Sequence, residues 1–166
     1  GEGYRSTELV GSVVTEVLNE TCLPLMVIPE AAVMKGVDDV KNVLYTTNFD
    51  ESDFIAIRKL ISITSSFNVK IFCLHISDEP ESAIVKAKMG QLKDYFTEVN
   101  PRVEVVCSII KGKDMVKTFK DYVVENQINL VALTQIKRNL IYKMFNPSIV
   151  KKMLHHSEVP LLLFHS

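Results

Sequence analysis

The chain has 166 residues, is 47% hydrophobic and carries a formal net charge of −1, which is enough length and apolar content for one ordinary globular core. The near-neutral charge argues against nucleic acid as the main partner, because phosphate binding needs Lys and Arg clustered on one face. No run approaches the roughly 18 consecutive apolar residues of a membrane span, so we expect neither nucleic acid nor a membrane as a partner.

The first predicted element is a helix-like segment that leads into an apolar strand, GSVVTEVLNETCLPLMVIPE. The same pattern returns without a gap in the last twenty residues, PSIVKKMLHHSEVPLLLFHS, where Ser148 corresponds to Ser12. Chance similarity of two amphipathic helices would match apolar positions, but a helix, a turn and a strand in one register favour an internal repeat. We therefore predict that residues 1–30 close a first repeat, that residues 31–39 form a linker, and that residues 40–166 form a complete second repeat.

The complete repeat alternates apolar strands with segments whose apolar residues recur at helical spacing. The predicted order is strand 40–48, helix 51–66, strand 69–77, helix 80–99, strand 102–110, helix 114–126, strand 128–134, helix 147–157 and strand 159–165. Strands that are apolar on both faces and alternate with helices indicate a parallel sheet with right-handed crossovers. We therefore expect an α/β fold with a doubly wound five-stranded parallel sheet, helices on both faces, and an extra helix and strand from the preceding repeat.

Three segments of the complete repeat resemble the universal stress protein family. KNVLYTTNFDESD is similar to the first strand and turn of that family, and IFCLHISDE is similar to its second strand. IIKGKDMVKTFKDYVVENQINLVALT is similar to its V-x-x-G…I…A…DLIVMG segment. The shared order and spacing extend over essentially residues 40–165. The resemblance implies a stress regulator, and tandem copies are common in this family.

Nucleotide-binding members of that family carry G-x2-G-x9-G-[S/T] between the fourth strand and the last helix. Its glycines let backbone N–H groups approach the phosphates, and the following helix N-terminus attracts an anion. Gly1 and the pair Gly11 and Ser12 match the second half of this motif, so the resemblance implies an ATP site in the first repeat that involves Gly1, Gly11, Ser12 and Val13. The alternative is that Gly1 belongs to an ordinary loop and that Gly11 precedes a helix capped by Ser12.

The complete repeat departs from this phosphate-binding motif. Pro147 and Ser148 stand at the positions of its last Gly and Ser, Lys137 at the second Gly and Thr134 at the first. Pro147 has no N–H to donate. Lys137 places a long side chain where the family leaves space, although its charge would attract a phosphate.

Three further residues differ from the family where the resemblance places the adenine base. Asn48 replaces an Asp, Thr46 stands where the family has Pro, and Ile76 replaces a Val. An amide both donates and accepts hydrogen bonds, whereas an ionised carboxylate only accepts them. We therefore predict that the complete repeat binds ATP, with or without Mg²⁺, weakly or not at all.

The histidines give weak evidence for a metal or a catalytic base. His155 and His156 are adjacent on a predicted helix, so their side chains diverge by about 100°, and no Cys, Asp or Glu has the spacing to complete a zinc site with them. His75 ends the second strand of the complete repeat without an evident acidic partner, which favours a hydrogen-bonded structural histidine over a general base. We expect no metal site from these residues.

The acidic residues Asp50, Glu51 and Asp53 precede or begin a predicted helix, where carboxylates favour the positive end of the dipole. That structural role outweighs Mg²⁺ binding.

No hydrolase, metalloprotease or Walker-type motif is present in the sequence. Two function classes therefore remain open. One is a regulatory module that is non-catalytic or binds nucleotide weakly, and the other is an ATP-binding stress protein with slow hydrolysis or self-phosphorylation through the first repeat.

Two apolar strands, residues 23–28 and 159–165, suggest how the protein associates. The last strand of a parallel sheet would otherwise expose an unpaired edge, and the resemblance implies that such strands pair. We expect either a homo-oligomer or an intramolecular pseudo-dimer.

The cysteines Cys22, Cys73 and Cys107 lie in apolar stretches, which is typical of reduced, buried thiols in a cytoplasmic protein.

Overall fold

The computed structural model describes residues 16–17, 20–34, 36–135 and 158–165. Six strands and three helices lie in this part of the chain, together with a short 3-10 helix, Val37–Asp39. The strands are β1 (Leu25–Val27), β2 (Asn42–Thr46), β3 (Lys70–Ser77), β4 (Glu104–Lys111), β5 (Leu130–Gln135) and β6 (Leu161–His165). The helices are α1 (Glu51–Thr64), α2 (Ala83–Val99) and α3 (Met115–Glu125).

The strands form one sheet of order β1-β6-β5-β2-β3-β4. β2 lies at the centre and is parallel to both β3 and β5, and the parallel pairing continues outward to β4 and β6. From the central strand β2, the next two strands, β3 and β4, are added on one side. The chain then returns to the centre, and β5 and β6 are added on the other side. This order confirms the predicted doubly wound sheet of five parallel strands.

β1 is the additional strand at one edge of the sheet. It pairs antiparallel with β6, with Met26 opposite Leu162. The two predicted apolar strands, 23–28 and 159–165, therefore contact each other within one chain, although both are shorter than predicted. The helix predicted before β1 lies mostly outside the described residues, and the one predicted at 147–157 lies entirely outside them.

The side chains of β2 alternate between two hydrophobic cores. Val43 and Tyr45 belong to the core under α1 and α2, whereas Leu44 belongs to the core under α3. All three side chains are inaccessible to solvent, as is typical of a central parallel strand with both faces covered. The prediction of helices on both faces is thus confirmed.

The cysteines are free, but they are not equally buried. Cys73 on β3 is buried and Cys107 on β4 is half-buried, whereas Cys22 is exposed. The prediction of three buried thiols is therefore wrong for Cys22. It precedes the three-residue strand β1, which lies at an edge of the sheet and has no fully buried side chain: Leu25 and Val27 are half-buried and Met26 is exposed.

Candidate functional site

The carboxyl ends of β2 and β5 meet where the sheet reverses its direction of construction. β2 ends at Thr46, the following loop carries Thr47 and Asn48, and Thr134 lies near the end of β5. In open α/β sheets, ligands bind in the crevice outside the carboxyl ends of the strands at such a switch point. These residues therefore define the candidate site.

A buried carboxylate organises this end of the sheet. The Tyr45 hydroxyl donates to Oδ1 of Asp53 at 2.6 Å, and the Thr47 hydroxyl donates to Oδ2 at 2.5 Å. The Asp50 N–H adds a third bond to Oδ2 at 3.0 Å. The Tyr45 hydroxyl also lies 3.1 Å from Oγ1 of Thr134. The network thus links the first turn of α1 to the ends of β2 and β5.

Burial and hydrogen bonds act in opposite directions on the Asp53 carboxyl. Only 3% of the residue is exposed, and this burial raises its pKa, while the bonds from Thr47 and Tyr45 lower it and so limit the shift. Burial, followed by the negative charge of Asp53, raises the pKa of Tyr45 well above its ordinary value. The phenol therefore remains a donor, which keeps the carboxylate satisfied.

The sequence predicted a helix-dipole role for the acidic residues at the start of α1. Asp53 has a further role, because it anchors two strands through the network. The signal that was available is its position three residues after Asp50, which is typical of a capping box. The hydroxyls of Tyr45 and Thr47 could not be assigned as its donors without the fold.

The loop after β2 is held by contacts with β3. The Thr47 N–H donates to the Leu74 carbonyl at 3.0 Å, and Nδ1 of His75 donates to the Thr47 carbonyl at 2.8 Å. The ring of Phe49 packs on the His75 ring with centroids 4.3 Å apart. Phe49 also has a φ of 62°, a left-handed conformation that is costly for a bulky residue. The expectation that His75 is hydrogen-bonded is confirmed.

Two polar atoms at the end of β2 are buried without a hydrogen-bond partner among the described residues. They are Oγ1 of Thr46 and Nδ2 of Asn48. An unpaired buried polar group costs about 1–3 kcal/mol, and such exceptions call for a physical explanation. Both residues stand where the family resemblance predicts the base end of a nucleotide site.

Ile76 lies on the same side of the sheet as Thr46, by the alternation of parallel strands. It is 5% exposed and belongs to the core under α3. A Cβ added at Gly112, the residue after β4, would lie 3.0 Å from Cγ2 of Ile76 and 2.6 Å from Oγ1 of Thr118. The glycine therefore permits the loop after β4 to approach β3 and α3 closely.

The remaining predicted site residues lie outside the described part of the chain. They are Gly1, Gly11, Ser12, Val13, Lys137 and Ser148. Of the residues predicted for the base end of the site, the structure describes Thr46, Asn48 and Ile76. In the described residues, no group of three or more His, Cys, Asp or Glu side chains could hold a metal ion.

The fold and site define a doubly wound α/β protein with a polar site at its switch point. The model of the universal stress protein family matches residues 39–165, so the chain belongs to this family. Comparison with curated protein sequences gave no match. None of the helices in the described residues is long and apolar enough to cross a membrane.

Solved structures of universal stress proteins share this fold. A universal stress protein in complex with cAMP is 16% identical, with a TM-score of 0.61 over 76% of this chain and 97% of that one. A universal stress protein from Archaeoglobus fulgidus in complex with dAMP is 10% identical, with a TM-score of 0.56 over 77% and 99%. A third, from Archaeoglobus fulgidus DSM 4304, is 15% identical with a TM-score of 0.66, and the match covers 87% of this chain and half of that one.

Proposed function

We propose that this chain is a non-catalytic regulatory module of the universal stress protein family that binds an adenine nucleotide weakly, mainly through the base. The observation that carries the proposal is the pair of unpaired polar atoms at the end of β2, Oγ1 of Thr46 and Nδ2 of Asn48. They lie at the switch point, where ligands of such sheets bind. The cAMP and dAMP complexes of similar folds support an adenine nucleotide as the ligand class.

Adenine suits these atoms because its ring nitrogens accept hydrogen bonds and its amino group donates them. Thr46 offers a hydroxyl that both donates and accepts, and Asn48 offers an amide with both capacities. Ile76 adds an apolar side chain on the same side of the sheet as Thr46. A base that supplies the missing partners would remove a cost of about 1–3 kcal/mol for each buried group.

Weak binding follows from the phosphate end of the motif. Lys137 and Pro147 replace glycines, and proline has no N–H to offer a phosphate oxygen. Backbone N–H groups normally provide most of the contacts at such sites. We therefore propose that the base contributes most of the affinity and that the triphosphate adds little.

The groups that would carry out chemistry at this site are already engaged. The Asp53 carboxylate accepts three hydrogen bonds, and Nδ1 of His75 is committed to the Thr47 carbonyl. A general base must lie within reach of the proton that it removes, and both groups serve the structure instead. This supports a regulatory role without catalysis, and Mg²⁺ would need ligands other than Asp53.

Two isosteric variants test the site. Thr46→Val removes the unpaired hydroxyl, so we expect the unliganded protein to keep or gain stability while calorimetric titration shows weaker adenosine binding. Thr47→Val is the matched control, because its hydroxyl donates to Asp53 and its loss should destabilise the protein by about 1.5–3 kcal/mol. If Thr46→Val leaves adenosine binding unchanged, the proposed base site is wrong.

Titration of the parent chain with adenosine and ATP tests the weak phosphate contribution. We expect millimolar dissociation constants that differ by less than about tenfold, or about 1.4 kcal/mol. Micromolar ATP binding that Gly11→Asp abolishes and Thr46→Val leaves intact would favour the alternative function. In that case the first repeat binds ATP, with slow hydrolysis or self-phosphorylation.

A second proposal concerns the strand pair β1–β6. We propose that β1 ends a preceding universal stress repeat, within residues 1–30, and that its pairing with β6 is an intramolecular pseudo-dimer contact. The antiparallel register of Leu25 with Leu163 supports this, as does the match to only half of a longer universal stress protein. A monomer in light scattering supports intramolecular pairing, whereas a dimer favours the same contact between chains.

We also propose a cytoplasmic location, which the free thiols support.

A further inference from the structure

Two cysteines lie side by side on neighbouring strands, on the face of the sheet opposite that of Thr46. In the parallel pairing of β3 with β4, Cys73 is the direct register partner of Cys107. Both side chains contribute to the core under α1 and α2, so they lie on the same side of the sheet. Neighbouring strands are about 4.7–4.9 Å apart, and disulfides join Cα atoms that are about 4.4–6.8 Å apart.

We infer that Cys73 and Cys107 form a dithiol that a hydroperoxide converts into an intramolecular disulfide between β3 and β4. The pair is brought together by the sheet register, so the bond requires no shift of one strand along the other. In cytosolic proteins, disulfides are usually transient and either catalytic or redox-sensing. This inference does not depend on nucleotide binding.

The two thiols differ in exposure, which assigns their roles. Cys107 is half-buried on β4, the edge strand, whereas Cys73 is fully buried on the inner strand β3. The oxidant therefore meets Cys107 first. A hydrogen bond from Cys73, and then the positive charge of Lys93, lower the pKa of Cys107, and the thiolate is the reactive form. The same hydrogen bond, and then burial, raise the pKa of Cys73.

The chemistry balances in two steps with the hydroperoxide as the oxidant. The Cys107 thiolate attacks one oxygen of hydrogen peroxide, an S–O bond forms as the O–O bond breaks, and Cys107 sulfenic acid and hydroxide are produced. The Cys73 sulfur then attacks the Cys107 sulfur, an S–S bond forms as the S–O bond breaks, and the sulfenic oxygen leaves as water with the thiol proton. Overall, two thiols lose two hydrogen atoms and one peroxide is reduced to two waters. Cys73 thus acts as the resolving thiol.

The experiment uses the full chain with Cys22→Ser, which removes the exposed thiol and leaves the pair as the remaining cysteines. The protein is exposed to hydrogen peroxide, alkylated and digested with trypsin. We expect peptide 71–86 to be joined to peptide 103–111 with the loss of two hydrogen atoms, in a monomer, and dithiothreitol to separate them. A matched sample without peroxide should contain both peptides alkylated.

A second variant separates the two roles. In the Cys22→Ser background, Cys73→Ala should leave Cys107 as a sulfenic acid that a 1,3-dione reagent traps, because no resolving thiol remains. The inference is overturned if the Cys22→Ser protein accumulates sulfinic acid on Cys107 while Cys73 stays alkylatable. It is also overturned if neither thiol of the folded protein reacts under conditions that oxidise the same protein in urea.

Discussion

Tyr45→Phe removes one oxygen atom from the centre of the buried network and leaves the ring in place. The Tyr45 hydroxyl donates to Asp53 at 2.6 Å and contacts Thr134 at 3.1 Å. A hydrogen bond to a charged group contributes about 1.5–3 kcal/mol, against a total stability of about 5–15 kcal/mol for a domain. At pH 7 we therefore expect the free energy of unfolding to fall by about 1.5–3 kcal/mol.

Urea unfolding measures this loss. With a slope near 2 kcal/mol per molar urea, the midpoint should fall by roughly 1 M and the slope should stay unchanged. Tyr95→Phe is the matched control, because it removes the same atom from a half-buried ring that packs edge-on against Phe54 at 4.9 Å. We expect this control to stay within about 0.5 kcal/mol of the parent.

The pH dependence gives the prediction a sign. Burial raises the pKa of Asp53 in the native state, whereas an unfolded Asp titrates near pH 3.9, roughly. The native state thus holds the Asp53 proton more tightly than the unfolded state does. The resulting contribution to the free energy of unfolding is complete below the unfolded pKa and is lost as the pH rises through the native pKa. Tyr45→Phe removes a hydrogen bond that lowers the pKa of Asp53. In the variant the native pKa should therefore be higher, and this contribution should be lost over a range that extends to higher pH.

At pH 4 the cost of Tyr45→Phe should therefore be smaller than at pH 7, because a bond to a neutral carboxyl contributes only about 0.5–1.5 kcal/mol. Equal costs at the two pH values would mean that the Asp53 charge does not strengthen the bond. A cost below about 0.5 kcal/mol at pH 7, similar to that of surface substitutions, would refute the network as a source of stability.

Three further outcomes can be measured by chemical or thermal unfolding. Gly112→Ala should lower the free energy of unfolding by about 1–3 kcal/mol through overpacking, because its Cβ would lie 2.6 Å from a threonine oxygen on α3. Gly90→Ala is the control: it has open space in α2 and should raise the free energy of unfolding by up to about 1 kcal/mol. Met26→Lys should weaken the β1–β6 pair by about 0.2–1 kcal/mol and speed amide exchange in β6, and Leu23→Lys, outside β1 and 71% exposed, should leave that exchange unchanged. Asn129→Ala should cost about 1–2 kcal/mol by leaving two backbone N–H groups at the start of β2 without their acceptor at 2.9 Å; a neutral effect would show that water replaces the side chain.

The sheet could be predicted from the sequence because its inner strands, such as β2 and β3, are largely buried on both faces. The segments of β2 and β3 are nearly continuous apolar runs, and the crossover helices have apolar residues at helical spacing. The type of each element and the alternation of strands with helices could therefore be recognised in the sequence. The β1–β6 contact was also expected, because the last strand would otherwise expose an unpaired edge and the family resemblance implies that such strands pair. Met26 and Leu162 correspond in the alignment of the two repeats, and they pair directly in the sheet.

The contacts within the site could not be predicted in the same way. They join residues such as Tyr45, Asp53 and Thr134 that are far apart in the sequence or lie on different elements, and hydrogen bonding between them depends on which face of a strand each side chain takes. The burial of Cys22 was mispredicted because an apolar stretch indicates burial only where a neighbour covers it. At an edge strand of three residues, that cover is incomplete.

The base end and the phosphate end of the site depend on different parts of the sequence. The loop that carries Asn48 is fixed by Thr47, His75 and Asp53 through bonds that involve no glycine. Under the proposed function, the substitutions at Lys137 and Pro147 therefore need not disturb this loop. Because Thr46 keeps an unpaired hydroxyl at a cost that a valine would avoid, this end of β2 supports the proposed base binding.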